Sequence, residues 1–147
     1  MKDGQIFGVT NGIITMLSLM TGLRATNVDK VGIIGAILAM IIADPLSDAY
    51  SIYYAEKQNN NNSAFEIGKN AFLSQFVLQF LFLLIIILST DIDNGIYYSY
   101  IFGSLLTIVY GYTENISNYD ILKNLMWIVG LVYVTYISDL AVYSYYK

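Results

Sequence analysis

Five stretches of this sequence are too long and too apolar for most water-soluble folds: about Ile6 to Leu23, Val31 to Ala55, Ala71 to Ser89, Ile96 to Tyr112 and Leu122 to Tyr146. At about 1.5 Å of rise per residue, each comes near the roughly 30 Å of a bilayer's hydrocarbon core. Spanning strands would be shorter and would alternate polar with apolar residues, so the segments predict helices. The chain is 56% hydrophobic and 12% charged, with a mean hydropathy of +0.57, too apolar for a soluble domain of 147 residues. The expectation is an all-α integral membrane protein, one domain over residues 1–147 with five transmembrane helices. Thr10 and Asn11 break the first segment and no small-residue cleavage pattern follows it, so it reads as a retained helix, not a signal peptide.

Charge places the ends weakly. With the N-terminus in the cytoplasm, Lys2, Lys57, Lys69 and Lys123 fall inside, and Arg24, Lys30 and Lys147 outside. The loop holding Asp91 and Asp93 has no basic residue, which fits an outer position, and the expected topology is N-in, C-out. The stretch EKQNNNNSAFEIGK reads as an asparagine-rich linker with too few apolar residues to fold alone. Tyr97, Tyr98 and Tyr100 at one end of the fourth segment, and Tyr110 and Tyr112 at the other, read as an interfacial aromatic belt.

Several kinds of chemistry are excluded by composition. Without cysteine there is no disulfide framework or thiolate metal site, and without histidine the commonest base and zinc or copper ligand is missing. The net charge of −4 is scattered and forms no basic stripe, so nucleic acid is not an expected partner. No nucleophile–base pair or cofactor loop is visible, so no enzyme activity and no permanently bound cofactor are expected. Oxygen donors and methionine sulfur remain.

Those donors gather in AMIIADPLSDAYSIYY, residues 39–54. Asp44 lies about 20 Å along the second helix, and Asp48 is one turn further on. A charged side chain at such depth costs at least about 2.5 kcal/mol, so both should face the bundle interior. Met40, Asp44 and Asp48 recur every four residues and share a face, and a thioether with two carboxylates suits ferrous or manganous ion better than calcium. Pro45 removes a backbone hydrogen bond, frees the carbonyl of Ile41 and predicts a kinked or discontinuous helix, a common device at transporter ion sites. The plainer alternative is that Asp44 satisfies a neighbouring polar group and Pro45 merely bends the helix.

The first segment, FGVTNGIITMLSLMTGL, spaces Gly8 and Gly12 four apart, a pattern for close helix packing. Asn11 lies at a depth close to that of Asp48, so an amide and a carboxylate could meet. Met16 and Met20 are either thioether ligands or ordinary packing. Asp139, in ISDLAVYSYY, echoes LSDAYSIYY on an oppositely running helix, the pattern an inverted repeat would leave. It reads as a second intramembrane acid: a proton carrier, a ligand, or a partner to Gln75 or Gln79.

Together these residues resemble the vacuolar iron transporter family. FGVTNGIITMLSLMTGL is similar to the family's first-helix pattern of Phe-Gly, then Asp-Gly, then a hydroxyl-bearing and aliphatic run with a closing Gly. MIIADPLSD is similar to the second-helix pattern of a Met four residues before an acid and a Ser three beyond it. The resemblance covers about Phe7 to Glu56. It implies five transmembrane helices, a homodimer, and Met40, Asp44 and Ser47 in the places of the metal-handling Met, Glu and Ser. Asn11 stands where the family has an aspartate, keeping an oxygen but removing a charge and a proton acceptor. The acidic cytoplasmic metal-binding domain that follows the second helix in better-known members is replaced by the asparagine run.

The sequence thus leads to an expected carrier of ferrous iron or manganese out of the cytoplasm, with exchange against protons as a further expectation. Asp44, Asp48, Met40, Asn11 and Ser47 would handle metal, Asp44 or Asp139 would carry the coupled proton, and Gly8, Gly12 and Pro45 would shape the packing and dimer seam. The expected partners are the metal, the lipid bilayer and a second copy of the chain. The alternative is a membrane protein that keeps this fold to assemble with a partner and transports nothing.

Overall fold

The computed structural model describes residues 2–145, and five helices account for most of them: α1 (Lys2–Ala25), α2 (Lys30–Gln58), α3 (Ala64–Leu88), α4 (Ile92–Thr113) and α5 (Asn118–Tyr145). Tyr146 and Lys147, the end of the expected fifth segment and one of the basic residues weighed for topology, lie outside the described residues. Four stretches, Gly4–Ala25, Lys30–Gln58, Ala64–Leu88 and Asn118–Val142, are long and apolar enough to cross a membrane. α4, of 22 residues, is not among these four; Tyr97, Tyr98, Ser99 and Tyr100 near its start and Tyr110 and Tyr112 near its end interrupt its apolar run.

The connections are short because asparagine closes the helices. Asn27, Asn60 and Asn115 each adopt positive φ (57°, 56° and 54°), which asparagine tolerates better than most residues. Each sits at the end of α1, α2 or α4, and the next amide reaches back five residues: Val28 N–H to Leu23 O at 3.0 Å, Asn61 to Glu56 at 3.0 Å, Ile116 to Gly111 at 2.9 Å. These are Schellman closures with asparagine in place of glycine. The expected linker of residues 56–69 therefore shrinks to 59–63, and α3 begins at Ala64, where Ala64, Ile67 and Gly68 are buried. Asp29 and Asp91 start α2 and α4 by accepting from the amides of Gly32 and Asn94, each at 2.8 Å.

The bundle is organised around α3, which packs along both α1 and α2, while α4 and α5 close the far side of α1. Small residues permit the α1–α3 approach. A Cβ on Gly8 would come within 2.5 Å of the Ala71 carbonyl, and Gly4 and Gly12 face Ile67 and Leu78. The glycine seam is thus intrachain, formed with α3, and Gly8 and Gly12 are buried in it, not placed on an outer face. α4 buries Gly95, Ser99, Gly103, Thr107 and Gly111, one residue per turn, and runs antiparallel to α3. Gly95 lies at Ile86, Gly103 at Leu17 and Phe82, and Gly111 at Ile121 of α5.

Candidate functional site

α2 passes through Pro45 without a break, so the expected discontinuity is absent; Pro45 is buried in line with Ile33, Ile37 and Ile41 on the stripe that the bundle covers. That burial sets the angular position of the next stripe, Met40, Asp44 and Asp48, which is half-buried. Asp44 is the middle residue of the 29-residue α2, about 21 Å from either end.

Amides from two other helices converge on these acids. Gln75 Nε2 donates to Asp44 Oδ2 at 2.8 Å and to Asp48 Oδ2 at 2.9 Å, bridging the pair. Gln79 Nε2 donates to Asp44 Oδ2 at 2.7 Å, and Asn11 Nδ2 to Asp48 Oδ2 at 2.5 Å. All four bonds fall on the Oδ2 oxygens. Gly12 explains how Asn11 reaches the cluster: without a side chain there, α1 settles onto Gln75 and Leu78. Each amide presents its N–H side, as it must to an ionised carboxylate, which only accepts. The consequence lies on the other side of each group. Gln75 and Gln79 are 0% exposed, and their Oε1 atoms accept no hydrogen bond.

The ion pairs among the described residues, Arg24–Asp93 and Lys69–Glu66, leave both acids without a cation. Nor do three or more Asp, Glu, His or Cys side chains gather anywhere among the described residues. The cluster is two carboxylates and three amides, at mid-height between α1, α2 and α3.

The other candidates fall elsewhere. Ser47 is exposed on the outer side of α2, away from the cluster. Met40 packs against the apolar core one turn from Asp44. Met16 and Met20 are 0% exposed within that core, beside Leu17, Ile33 and Phe82, and so serve packing. Asp139 meets neither Gln75 nor Gln79, because α5 packs on α1 and α4 and its C-terminal part lies at the opposite end of the bundle from the α1 start. There it lines an open cavity of about 360 Å³ with Thr21, Arg24, Asn27, Asp93, Tyr100 and Thr135. Arg24 grips Asp93 with two nitrogens, at 2.6 and 3.1 Å, and Tyr100 meets Thr21 at 2.5 Å. Tyr100 therefore faces inward, while Tyr97, Tyr98 and Tyr112 face outward as belt residues would.

Reading the sequence did not place Gln75 and Gln79 with Asp44 and Asp48. Their signal was present: two amides four apart, on one face of the most apolar of the spans. Comparison of the chain with protein-family models, with curated proteins and with solved structures gives no match.

Proposed function

We propose that the chain is a membrane carrier for a divalent transition-metal ion, ferrous or manganous, and that Asp44 and Asp48 are the station where the ion rests midway across. One observation carries the reading: two carboxylates share an amide at the middle of a membrane-length helix, and no described ion pair neutralises them. Amide N–H groups solvate charge but do not cancel it. A divalent cation does, and the cost of charge at this depth, at least about 2.5 kcal/mol per group, is then offset. The similarity of residues 7–23 and 40–48 to the vacuolar iron transporter family supports the same cargo.

In this proposal all five helices cross the bilayer. α3 ends and α5 begins at opposite ends of the bundle, so α4, which joins them, must cover the same depth. The N-terminus is cytoplasmic, the protein is a homodimer, and export of metal is exchanged against protons carried by Asp44 or Asp139.

The same four hydrogen bonds favour a second reading, in which the carboxylates and amides are interhelical staples and the chain serves assembly with a partner. Uptake of ferrous and manganous ions into proteoliposomes with an imposed pH gradient separates the two. Gradient-driven uptake is expected, falling in Asp44→Asn to the level of empty liposomes while the elution profile stays that of the unaltered protein. Full uptake by Asp44→Asn would sink the station. No uptake of either metal by folded unaltered protein would leave the staple.

A further inference from the structure

Two carboxylates are too few to hold a divalent ion stripped of most of its water, since hard cations take six or more oxygens. The deficit points to the amides, and especially to the two orphaned oxygens. A buried acceptor without a partner costs about 1 to 3 kcal/mol, and here two occur on adjacent turns of α3, on side chains whose other amide atom already touches the acids. The two atoms of an amide end are nearly isosteric, so a half-turn about the last side-chain bond exchanges N–H for oxygen without moving the helix.

Resting on the metal-carrier reading, we propose that Gln75 and Gln79 are cation ligands that turn their amide oxygens inward when metal arrives, making with the carboxylates of Asp44 and Asp48 an all-oxygen site. With no ion present, N–H groups face the carboxylates and hold their charge. With an ion between the carboxylates, an inward N–H is repelled and an inward oxygen is attracted, so the cation's own charge selects the rotated state. The Oδ1 oxygens of both acids, which take none of the four amide bonds, are left to meet the ion. Such a donor set fits a hard divalent cation of the manganous kind, and it makes no use of Met40, whose thioether packs on the apolar core.

The test is manganous-ion binding by the full-length protein in micelles, read from the loss of the free-ion electron paramagnetic resonance signal. Gln75→Leu and Gln79→Leu are each expected to weaken binding by about tenfold or more, the scale of losing one group at a metal site. Asp44→Asn weakens it at least as much, and Met40→Leu leaves it within about twofold of the unaltered protein. If the glutamine variants bind normally while Asp44→Asn does not, the ligand assignment is overturned and the carboxylate station stands. If Met40→Leu is the damaging change, the all-oxygen set is wrong. If the unaltered, folded protein binds no manganous ion, this inference is overturned, and the carrier reading falls with it only if ferrous ion is not taken up either. Should a leucine variant misfold, unaltered protein carrying carbon-13 in its glutamine side-chain carbonyls decides the matter. A manganese–carbon hyperfine coupling is expected, and its absence overturns the proposal.

Discussion

Asn11 is the residue on which the balance of the cluster turns. Its Nδ2 donates to Asp48 at 2.5 Å, and a carboxylate in its place would exchange a donor for a third negative charge. Asn11→Asp should lose a charge-assisted hydrogen bond, about 1.5 to 3 kcal/mol, and add like-charge repulsion. The expected outcome is a lower unfolding midpoint in metal-free buffer at neutral pH, and a larger rise on adding manganous ion than the unaltered protein shows, with Trp127 as the fluorescent probe. An unchanged metal-free midpoint would mean that the Asn11–Asp48 bond contributes nothing net. At this scale the sequence exposed the polar residues that sit at odds with lipid, because each is locally conspicuous: Asp44, Asp48 and Asn11 interrupt apolar runs. Depth along the helices also brought Asn11 to Asp48, as the structure does, but it did not reveal that Gln75 and Gln79 join the two acids. Asp139 and Asp44 look alike on paper, yet one joins Arg24 and Asp93 around a cavity and the other joins Gln75 and Gln79, a difference set by which helix packs on which.

Helices were legible wherever apolar length alone defines them, and their ends were not. Capping by Asp29 and Asp91 and closure by Asn27, Asn60 and Asn115 extend the helices past the apolar runs, since a satisfied helix end needs no membrane. Asp91 gives this a pH dependence. Its carboxylate is held below the ordinary carboxylate value, first by the Asn94 amide, with burial opposing and Thr90 helping. A depressed value in the folded chain means that the cap stabilises α4 at neutral pH and loses that effect as pH falls through the depressed value. Hydrogen exchange of the first-turn amides of α4 should therefore quicken, relative to those of mid-α4, on passing below the carboxylate range. Asp91→Asn, which still accepts but does not titrate, should abolish that pH dependence. The α1–α3 seam makes a second prediction. Gly8→Ala drives a Cβ to within 2.5 Å of the Ala71 carbonyl, whereas a Cβ on Gly35 meets nothing within 4 Å. Overpacking of the first kind costs about 1 to 3 kcal/mol, while an open helical glycine replaced by alanine gains up to about 1 kcal/mol. Denaturant unfolding in micelles should show Gly8→Ala less stable than the unaltered chain and Gly35→Ala equal or better. Equal loss at both positions would refute close α1–α3 packing as the reason for the glycine.

Across the whole molecule, polar chemistry occurs at two depths that α1 connects. Asn11 reaches the cluster, and Thr21 and Arg24 reach the cavity, about 15 Å further along the helix. Between them lie Met16, Leu17 and Met20, each 0% exposed and packed with Ile33, Ile37 and Phe82. For a carrier this apolar layer is the barrier that must part for an ion to pass from the cluster to the Arg24 end. The chain has no cysteine, so single cysteines report on this arrangement without background. With the N-terminus in the cytoplasm, Thr90→Cys in the α3–α4 turn should react with a membrane-impermeant maleimide added to intact cells. Asn60→Cys in the α2–α3 turn should react only after the membrane is opened. Met20→Cys should resist in both conditions while the barrier is shut, and it should become reactive during metal turnover if the barrier parts. The reverse pattern for Thr90 and Asn60 would invert the topology, and with it the direction of export. A Met20→Cys that stays protected during turnover would mean that the ion does not pass through this layer of α1.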